Sequence, residues 1–463
     1  MSFVICALAS GAMFYLSQGM ADLWWLAWIA PAPILWLAYG ETRAWVAPLA
    51  GFAAFVLGQI YLLQCYAQFM SVPIIGVQIL VLASLFAAAV LLAWFAFRRL
   101  GPFAALIAFP ACWTALEYLL GSISPNGTFA ALGYSQVSAP ILIQSASLFG
   151  LCSVSFLICL FANAIALALR GSRNARIAAG LGFGVCILNA LYGAALLNEP
   201  QTDTLRVAAL ADHSDTVAAY QPVTRAADVK LASVYAAAIR KAAAQGAKLA
   251  VTAEGGILTN LEWRGDVFAP LAAAAKQSHI EIVAGIAQRD PPADIAVTFH
   301  PDGSVQRYDK RHLVPGLETQ FVPGRGPGLL GQARATTICK DMDFPPMIRG
   351  DAKTGIRLMA VPAGDFLLDD WIHARMAIMR GVENGFAVVR AANEGLVTIS
   401  DAQGRVLARR GYQPQGVYPV VADVALGSGP TLYTRIGDVF AWGVIAATIL
   451  LLGALIFRAG RRA

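Results

Sequence analysis

Three residues of this chain have side chains that could together do covalent chemistry: the carboxylate of Glu254, the amine of Lys310 and the thiol of Cys339. A cysteine nucleophile has to lose its proton, and a carboxylate within hydrogen-bond reach can take it. A base of that kind usually has a raised pKa, from burial or from a neighbouring charge. Attack at an acyl carbon creates an oxyanion, which a fixed cation and a backbone N–H stabilise in a site poor in water. Each residue also has a plainer use. Buried free cysteine is commonly inert filler. Glu254 could cap a helix or bind a loop, and Lys310 could be a solvated hairpin charge.

The elements around these residues favour the chemical reading. Residues 205–211 (LRVAALA) read as a buried strand and 226–245 as a helix ending at Gly246. A second strand, 248–253, ends at Glu254. A helix near 269–279 leads into the strand IEIVAGIA, and 293–308 reads as a hairpin turning at Pro301-Asp302-Gly303 and closed by Lys310. The strand 334–338 runs into Cys339. After it come a strand at 357–361, a helix at 370–384 closed by Gly385, and strand-like segments at 386–391, 396–400 and 416–424. This is an α/β layered domain of ordinary size. Side chains at strand ends converge on a common crevice in such domains, and all three reactive residues stand at element ends.

The rest of the chain is of another kind. Of 463 residues, 58% are hydrophobic and 13% charged, an apolar excess over a soluble protein. The excess lies in residues 1–198 and 437–457, so the expected organisation is a membrane bundle over 1–198, a catalytic domain over 204–426 and a last membrane helix over 437–457. About eight spans are expected, near 3–20, 23–40, 46–65, 72–97, 101–121, 141–169, 177–197 and 437–457. The first lacks a basic n-region and is followed at once by Trp24 and Trp25, so it reads as a span and not as a signal peptide. The loops near Asp22 and Gln68 and through 122–140 have no Lys or Arg. The alternate ones hold Arg43, then Arg98 and Arg99, then Arg170, Arg173 and Arg176, and the tail holds Arg458, Arg461 and Arg462. Basic loops stay cytoplasmic, which puts both termini inside and the catalytic domain outside. The net charge of +6 is thus a topology signal, and nucleic-acid binding is not expected. Six cysteines (Cys6, Cys65, Cys112, Cys152, Cys159 and Cys186) lie in or beside apolar runs, which leaves Cys339 alone in the soluble domain. It has no disulfide partner there, and no Cys/His spacing suits a metal.

The local sequences sharpen this. AEGG at Glu254, YDKRHLVPGLE around Lys310 and ICKDMDFP at Cys339 resemble the three motifs of the nitrilase superfamily, which implies an αββα sandwich and a Glu-Lys-Cys triad. HLVP followed by Glu318, and MAIMRGVENGFAVVRAANEG over 376–395, are similar to the apolipoprotein N-acyltransferase family. So are GYSQ at 133–136, the pattern of Gln144, Gly150, Ser155 and Phe156, and the tryptophan-rich second span. The resemblance covers nearly the whole chain. It implies that Cys339 takes an acyl group from a phospholipid as a thioester. That group then passes to the amine of the diacylglyceryl-modified N-terminal cysteine of an apolipoprotein. In this reading Glu254 is the base, Lys310 stabilises the oxyanion, the N–H of Lys340 is a second donor and Glu318 orients Lys310. It implies no cofactor and no metal, and a monomer in the bacterial inner membrane with the catalytic domain on the periplasmic side. The chain departs from the family pattern at Lys340-Asp341, where Tyr-Glu is common, at Ala253-Glu254-Gly255 and at Gly364-Asp365-Phe366. A cation at Lys340 beside Cys339 is expected to favour the thiolate.

The chief rival is a membrane-tethered amidase with the same triad, acting on a small or lipid-linked amide with water as acceptor. A non-catalytic lipid-binding scaffold would not need the triad, and a transporter would need more charge in its spans. Glu117, within an apolar run, is an intramembrane carboxylate with a functional or a structural use. Trp24, Trp25, Trp28 and Trp36 read as interfacial anchors and packing. The uncharged loop 122–140, with Phe129, Tyr134 and Gln136, is expected to help hold acyl chains. His312 and His373 are given no catalytic part. Asn126-Gly127-Thr128 fits a glycosylation triplet, a pattern frequent by chance.

Overall fold

In lipid a backbone has to satisfy its own hydrogen bonds, and the apolar first part of the chain does so as helix. The computed structural model describes residues 2–212, 224–411 and 416–461. Contacts divide the chain into two units: Met1–Ser124, Thr128–Asn198 and Ile436–Ala463 form one, Pro125–Gly127 and Glu199–Arg435 the other. Arg462, counted above in the basic tail, lies outside the described residues.

In the first unit, among the described residues, six helices are long and apolar enough to cross a membrane. They are Val46–Tyr66, Val72–Arg99, Pro102–Ile123, Leu151–Ala168, Arg173–Leu197 and Val439–Ala459. The other two expected spans are shorter as helices. The first is Ser2–Gln18. The second run is a 3-10 turn, Trp24–Trp28, followed by a short helix, Ala32–Gly40. Pro31 and Pro33 sit at its break, where the missing N–H prevents one continuous helix. The run 141–169 is likewise divided. Gly150 adopts φ +74°, a left-handed conformation open to glycine, and Leu151–Ala168 starts after it. Phe14, Phe55 and Phe86 meet with ring centroids 4.9–5.4 Å apart at the core of this unit.

The GYSQ segment is an internal hydrogen-bonding node. Gln136 accepts from Trp28 Nε1 at 2.6 Å and donates to the Trp24 carbonyl, while Gly133 N–H donates to Ser155 Oγ at 3.0 Å. Glu117 accepts the N–H of Leu132 at 2.7 Å, so this carboxylate anchors the 3-10 turn Leu132–Gln136. Tyr134 and Gln136 are buried, and their polar ends are engaged inside the unit. In this loop, expected to help hold acyl chains, Tyr134 and Gln136 instead spend their polar groups on partners inside the unit.

The second unit is built from two sheets. The first contains β1 (Thr204–Asp212), β2 (Leu249–Thr252), β3 (Ile257–Thr259), β4 (Glu281–Arg289), β5 (Pro292–Phe299), β6 (Val305–Asp309) and β13 (Val417–Ala425). Their order is β13-β1-β2-β4-β5-β6, with β3 also paired to β4. The second sheet holds β7 (Gly328–Gly331), β8 (Arg334–Thr336), β9 (Leu358–Gly364), β10 (Ala387–Asn393), β11 (Val397–Ser400) and β12 (Val406–Arg410), ordered β12-β11-β10-β9-β8-β7. One buried cluster joins the sheets face to face through Val207, Val251, Val283, Ile338, Leu358 and Val389. A second lies between the first sheet and the helices Arg225–Ala244 and Arg264–Ser278. A third packs the helices Pro345–Ala352 and Asp370–Asn384 on the second sheet. The layers are therefore helix, sheet, sheet, helix. Central strands buried on both faces account for apolar runs without alternation.

Candidate active site

Three strand ends meet at one place. Glu254 follows β2, and its N–H donates to the Ala363 carbonyl of β9 in the facing sheet at 3.1 Å. The approach depends on Gly285 of β4, where a Cβ would lie 2.2 Å from the Ala253 carbonyl oxygen. Lys310 follows β6 and is 1% exposed. Its Nζ donates to Glu254 Oε1 at 2.5 Å and to Glu318 Oε1 at 2.6 Å, and lies 3.3 Å from Asp294 Oδ2. Glu318 is itself fixed by the Val314 N–H at 2.7 Å. Glu254, Asp294 and Glu318 each bring an oxygen within 4.8 Å of the others, a spacing that would suit a cation. The Lys310 ammonium supplies that charge.

Cys339 follows β8 and opens a 3-10 turn, Cys339–Asp343. Its φ of +38° is left-handed for a non-glycine residue, a conformation that costs about 1–3 kcal/mol and persists where the surroundings impose it. Here a buried carboxylate imposes it. Asp341 accepts from the N–H of Ile338, the Thr337 hydroxyl, the Tyr308 hydroxyl at 2.6 Å, and the N–H groups of Arg311 and His312. It thereby ties the turn carrying Cys339 to the residues flanking Lys310. Burial alone would raise the Asp341 carboxyl, but hydrogen bonds led by His312 and Tyr308 hold it below its ordinary value.

The electrostatics of the three groups follow from this packing. Burial pushes the Cys339 thiol well up, and the Glu254 charge adds to that, while Lys310 and Arg390 oppose it. The resting group is a thiol, with Sγ 3.3 Å from the Gly364 carbonyl it donates to. Burial would raise Glu254 too, but the Lys310 charge, in hydrogen-bonding contact, outweighs it and holds the carboxyl below its usual range. The expected raised base is thus corrected. Glu254 is ionised at rest because its cation is in contact with it.

The Lys340 side chain is also not where the sequence suggested. Its ammonium donates to Asn126 Oδ1 at 3.0 Å, lies 3.6 Å from Asp343 Oδ2 and sits over the Phe344 ring. The cations acting on Cys339 are Lys310 and Arg390. In a tight turn, neighbours in sequence send their side chains in different directions. The backbone N–H of Lys340 belongs to the first turn of a helix, where amides lack intrahelical acceptors.

Several ionisable groups that gather here were given no role from the sequence. Asp294 is on β5, beside Ala296 and Thr298 on one face, and its carbonyl accepts the Lys310 N–H at 3.1 Å. The hairpin register was a usable signal, since Ile295 pairs with Asp309 and so sets Asp294 against Lys310. Asp365 and Arg390 form a fully buried pair beside the thiol, bonded through both guanidinium nitrogens. His373 contacts Asp369 at 3.0 Å, and although burial opposes its charge, Asp369, Asp365 and Asp343 raise it to about 9.

Residues 10–164 match the apolipoprotein N-acyltransferase N-terminal domain, and 216–428 match the carbon-nitrogen hydrolase domain. Relatives bearing the name apolipoprotein N-acyltransferase align over nearly the full chain. The one from Geobacter metallireducens is 28% identical over 98% of this chain and 95% of its own length. The one from Azotobacter vinelandii is 28% identical over 99% and 96%. The chain belongs to the apolipoprotein N-acyltransferase family. Among solved structures, an amidase from Nesterenkonia sp. is similar over 51% of this chain and 94% of its own, at 22% identity and a TM-score of 0.41. In this chain of the family, Glu254, Lys310 and Cys339 stand where its carbon-nitrogen hydrolase domain brings strand ends of both sheets together.

Proposed function

We propose that this enzyme moves an acyl chain from a phospholipid, through a thioester on Cys339, to the amine of a lipid-modified N-terminal cysteine of an apolipoprotein. The observation that supports it most is the set of neighbours of Glu254, which touches Lys310 at 2.5 Å and lies close enough to the Cys339 thiol for its charge to act on it. Glu254 takes the thiol proton as Sγ attacks the ester carbonyl. Lys310 Nζ and the Lys340 N–H stabilise the oxyanion, and Glu318 orients Lys310. Collapse breaks the ester bond, and the departing alkoxide takes the proton from Glu254, leaving a lysophospholipid. In the second half the acceptor amine attacks the thioester, Glu254 takes its proton, and the thiolate leaves and recovers it.

A lipid donor suits the loops that hold the site. Leu317 beside Glu318, Val322, and Leu367 and Leu368 after Asp365 are all exposed apolar residues. Isolated cases would mean little, but here they gather on the two loops that carry site residues. The charge pattern of the loops supports cytoplasmic termini and a catalytic unit on the outer face of a bacterial inner membrane. The chain is taken to act as a monomer, with 1–198, 204–426 and 437–457 as bundle, catalytic domain and final helix.

Incubation with phospholipid should leave a hydroxylamine-labile acyl adduct on Cys339, seen by mass spectrometry and missing from Cys339→Ala. A folded protein with an alkylatable Cys339 that never acquires an acyl group from any phospholipid would sink the reading and favour an amide substrate.

A further inference from the structure

Lys310 brings one positive charge to a buried site with three carboxyl groups, Glu254, Asp294 and Glu318. If all three were ionised, two negative charges would be left unmatched in a place almost closed to water. Charges buried without partners are strongly disfavoured, and two carboxyl groups in contact relieve the repulsion by keeping one proton. The contact that can hold such a proton is between Glu254 and Asp294, which meet at the same Lys310 Nζ, at 2.5 and 3.3 Å, and bring carboxyl oxygens within 4.8 Å of each other.

The surroundings decide which of the two carries it. Glu254 receives the Lys310 N–H at 2.5 Å. Glu318 receives Lys310 and the Val314 N–H. Asp294 has only the longer approach of Lys310, at 3.3 Å, on Oδ2. Its Oδ1 is buried, and no N–H or O–H of the described residues is directed at it. An oxygen with no donor is where an O–H costs least. The ionisable groups facing this cluster are Glu254 from the end of β2, Lys310 from the end of β6, Glu318 from the loop after it and Cys339 from the end of β8.

We propose that Asp294 is a positioning residue that keeps a proton in the resting enzyme, donates it as a hydrogen bond to Glu254, and releases it at alkaline pH. The neutral O–H fixes the orientation of the Glu254 carboxylate without adding repulsion. Once the proton is lost, a second negative charge beside Glu254 opposes formation of the Cys339 thiolate, and the site has an upper pH limit. The two carboxyl groups are shifted in the matching senses. Burial and the Glu254 charge push Asp294 well above its ordinary value, whereas Glu254 lies below its own.

The inference rests on Glu254 as the base, and its test needs no acyl donor, so its failure is separate from failure of the acyl-transfer reading. The full-length protein in detergent would be alkylated with iodoacetamide, and the rate at Cys339 followed by peptide mass spectrometry from about pH 6 to about pH 9.5. Wild type would be compared with Asp294→Asn, which keeps an N–H donor and cannot ionise. The expected result is a variant-to-wild-type rate ratio that climbs with pH, reaching about tenfold where Asp294 is ionised in the wild type. A ratio that stays constant over the range overturns the proposal, because Asp294 would then carry the same charge throughout. If Asp294→Asn does not fold, Asp294→Thr, a smaller neutral hydroxyl donor, makes the same comparison.

Discussion

Lys310→Met should abolish measurable acylation of Cys339, lowering its rate by at least about a hundred- to a thousandfold, the usual effect of removing an oxyanion donor. Three consequences of the substitution act in the same direction. The oxyanion loses its cation. The Cys339 thiol loses the larger of the two opposing charges that offset its burial, so its alkylation curve moves to higher pH. Glu254, buried with two other carboxyl groups, loses the charge that offsets its burial, so its carboxyl rises above its ordinary value. The last effect has a sign that stability measurements can read. In the wild type the Glu254 carboxyl lies below its unfolded value, so its stabilisation is present at neutral pH and is lost as pH falls through the folded value. In the variant the carboxyl lies above its unfolded value, so the folded state gains stability on acidification, in the window between that raised value and the unfolded one, above the window in which the wild type loses it. The measurement is the pH dependence of both Cys339 alkylation and thermal unfolding. An alkylation curve that stays in place would show that Lys310 does not act on the thiol. Lys310→Arg is no substitute, since a planar guanidinium cannot fill a 1% exposed position shaped for an ammonium touching three carboxyl groups.

The meeting of Glu254, Lys310 and Cys339 was legible because each ends a strand, and strand ends are marked by where an apolar run meets a turn. What surrounds the triad was not legible, for reasons specific to each residue. Asp294 follows Pro291 and Pro292, so its local sequence looks like a turn, and only the hairpin register puts its side chain inside. Asp341 looked like a departure from a family pattern, while its five donors come from residues on both sides of the site. The strands β3, β7 and β12 are three to five residues long, too short for a periodic signal. The helix Arg264–Ser278 begins earlier than the 269 expected, and Pro270 lies inside it. In the membrane unit, an apolar count over 23–40 does not register that Pro31 and Pro33 lack the N–H a helix needs. Hydrophobicity locates an element. The hydrogen-bond inventory of its backbone decides its length.

The largest stability effect should come from the pair behind the nucleophile, and it should be asymmetric. Arg390 donates to Asp365 with both terminal nitrogens, and its remaining acceptor is the Leu396 carbonyl at 3.3 Å. Asp365→Ala leaves a buried guanidinium without its counter-ion. Arginine cannot shed its proton, so the charge stays, and breaking such a pair costs about 3–5 kcal/mol. For a domain of this size that is a fall of roughly 6–20 °C in unfolding temperature. Arg390→Met is expected to cost less, because the stranded carboxyl has another way out. Burial already raises Asp365 despite the opposing Arg390 charge, and without arginine it takes up a proton. That escape has a pH signature. With its folded value above the unfolded one, Asp365 in Arg390→Met favours the folded state at low pH and loses that support as pH rises through the folded value. Measured against wild type, Arg390→Met should therefore be further destabilised at about pH 8 than at about pH 5, while Asp365→Ala should show the same deficit at both. Thermal unfolding of the catalytic unit in the purified full-length protein reads both variants. An Arg390→Met variant as unstable as Asp365→Ala and equally indifferent to pH would mean that the carboxyl stays charged without its arginine, held by Asp365's other neighbours, of which His373 is the cation in range.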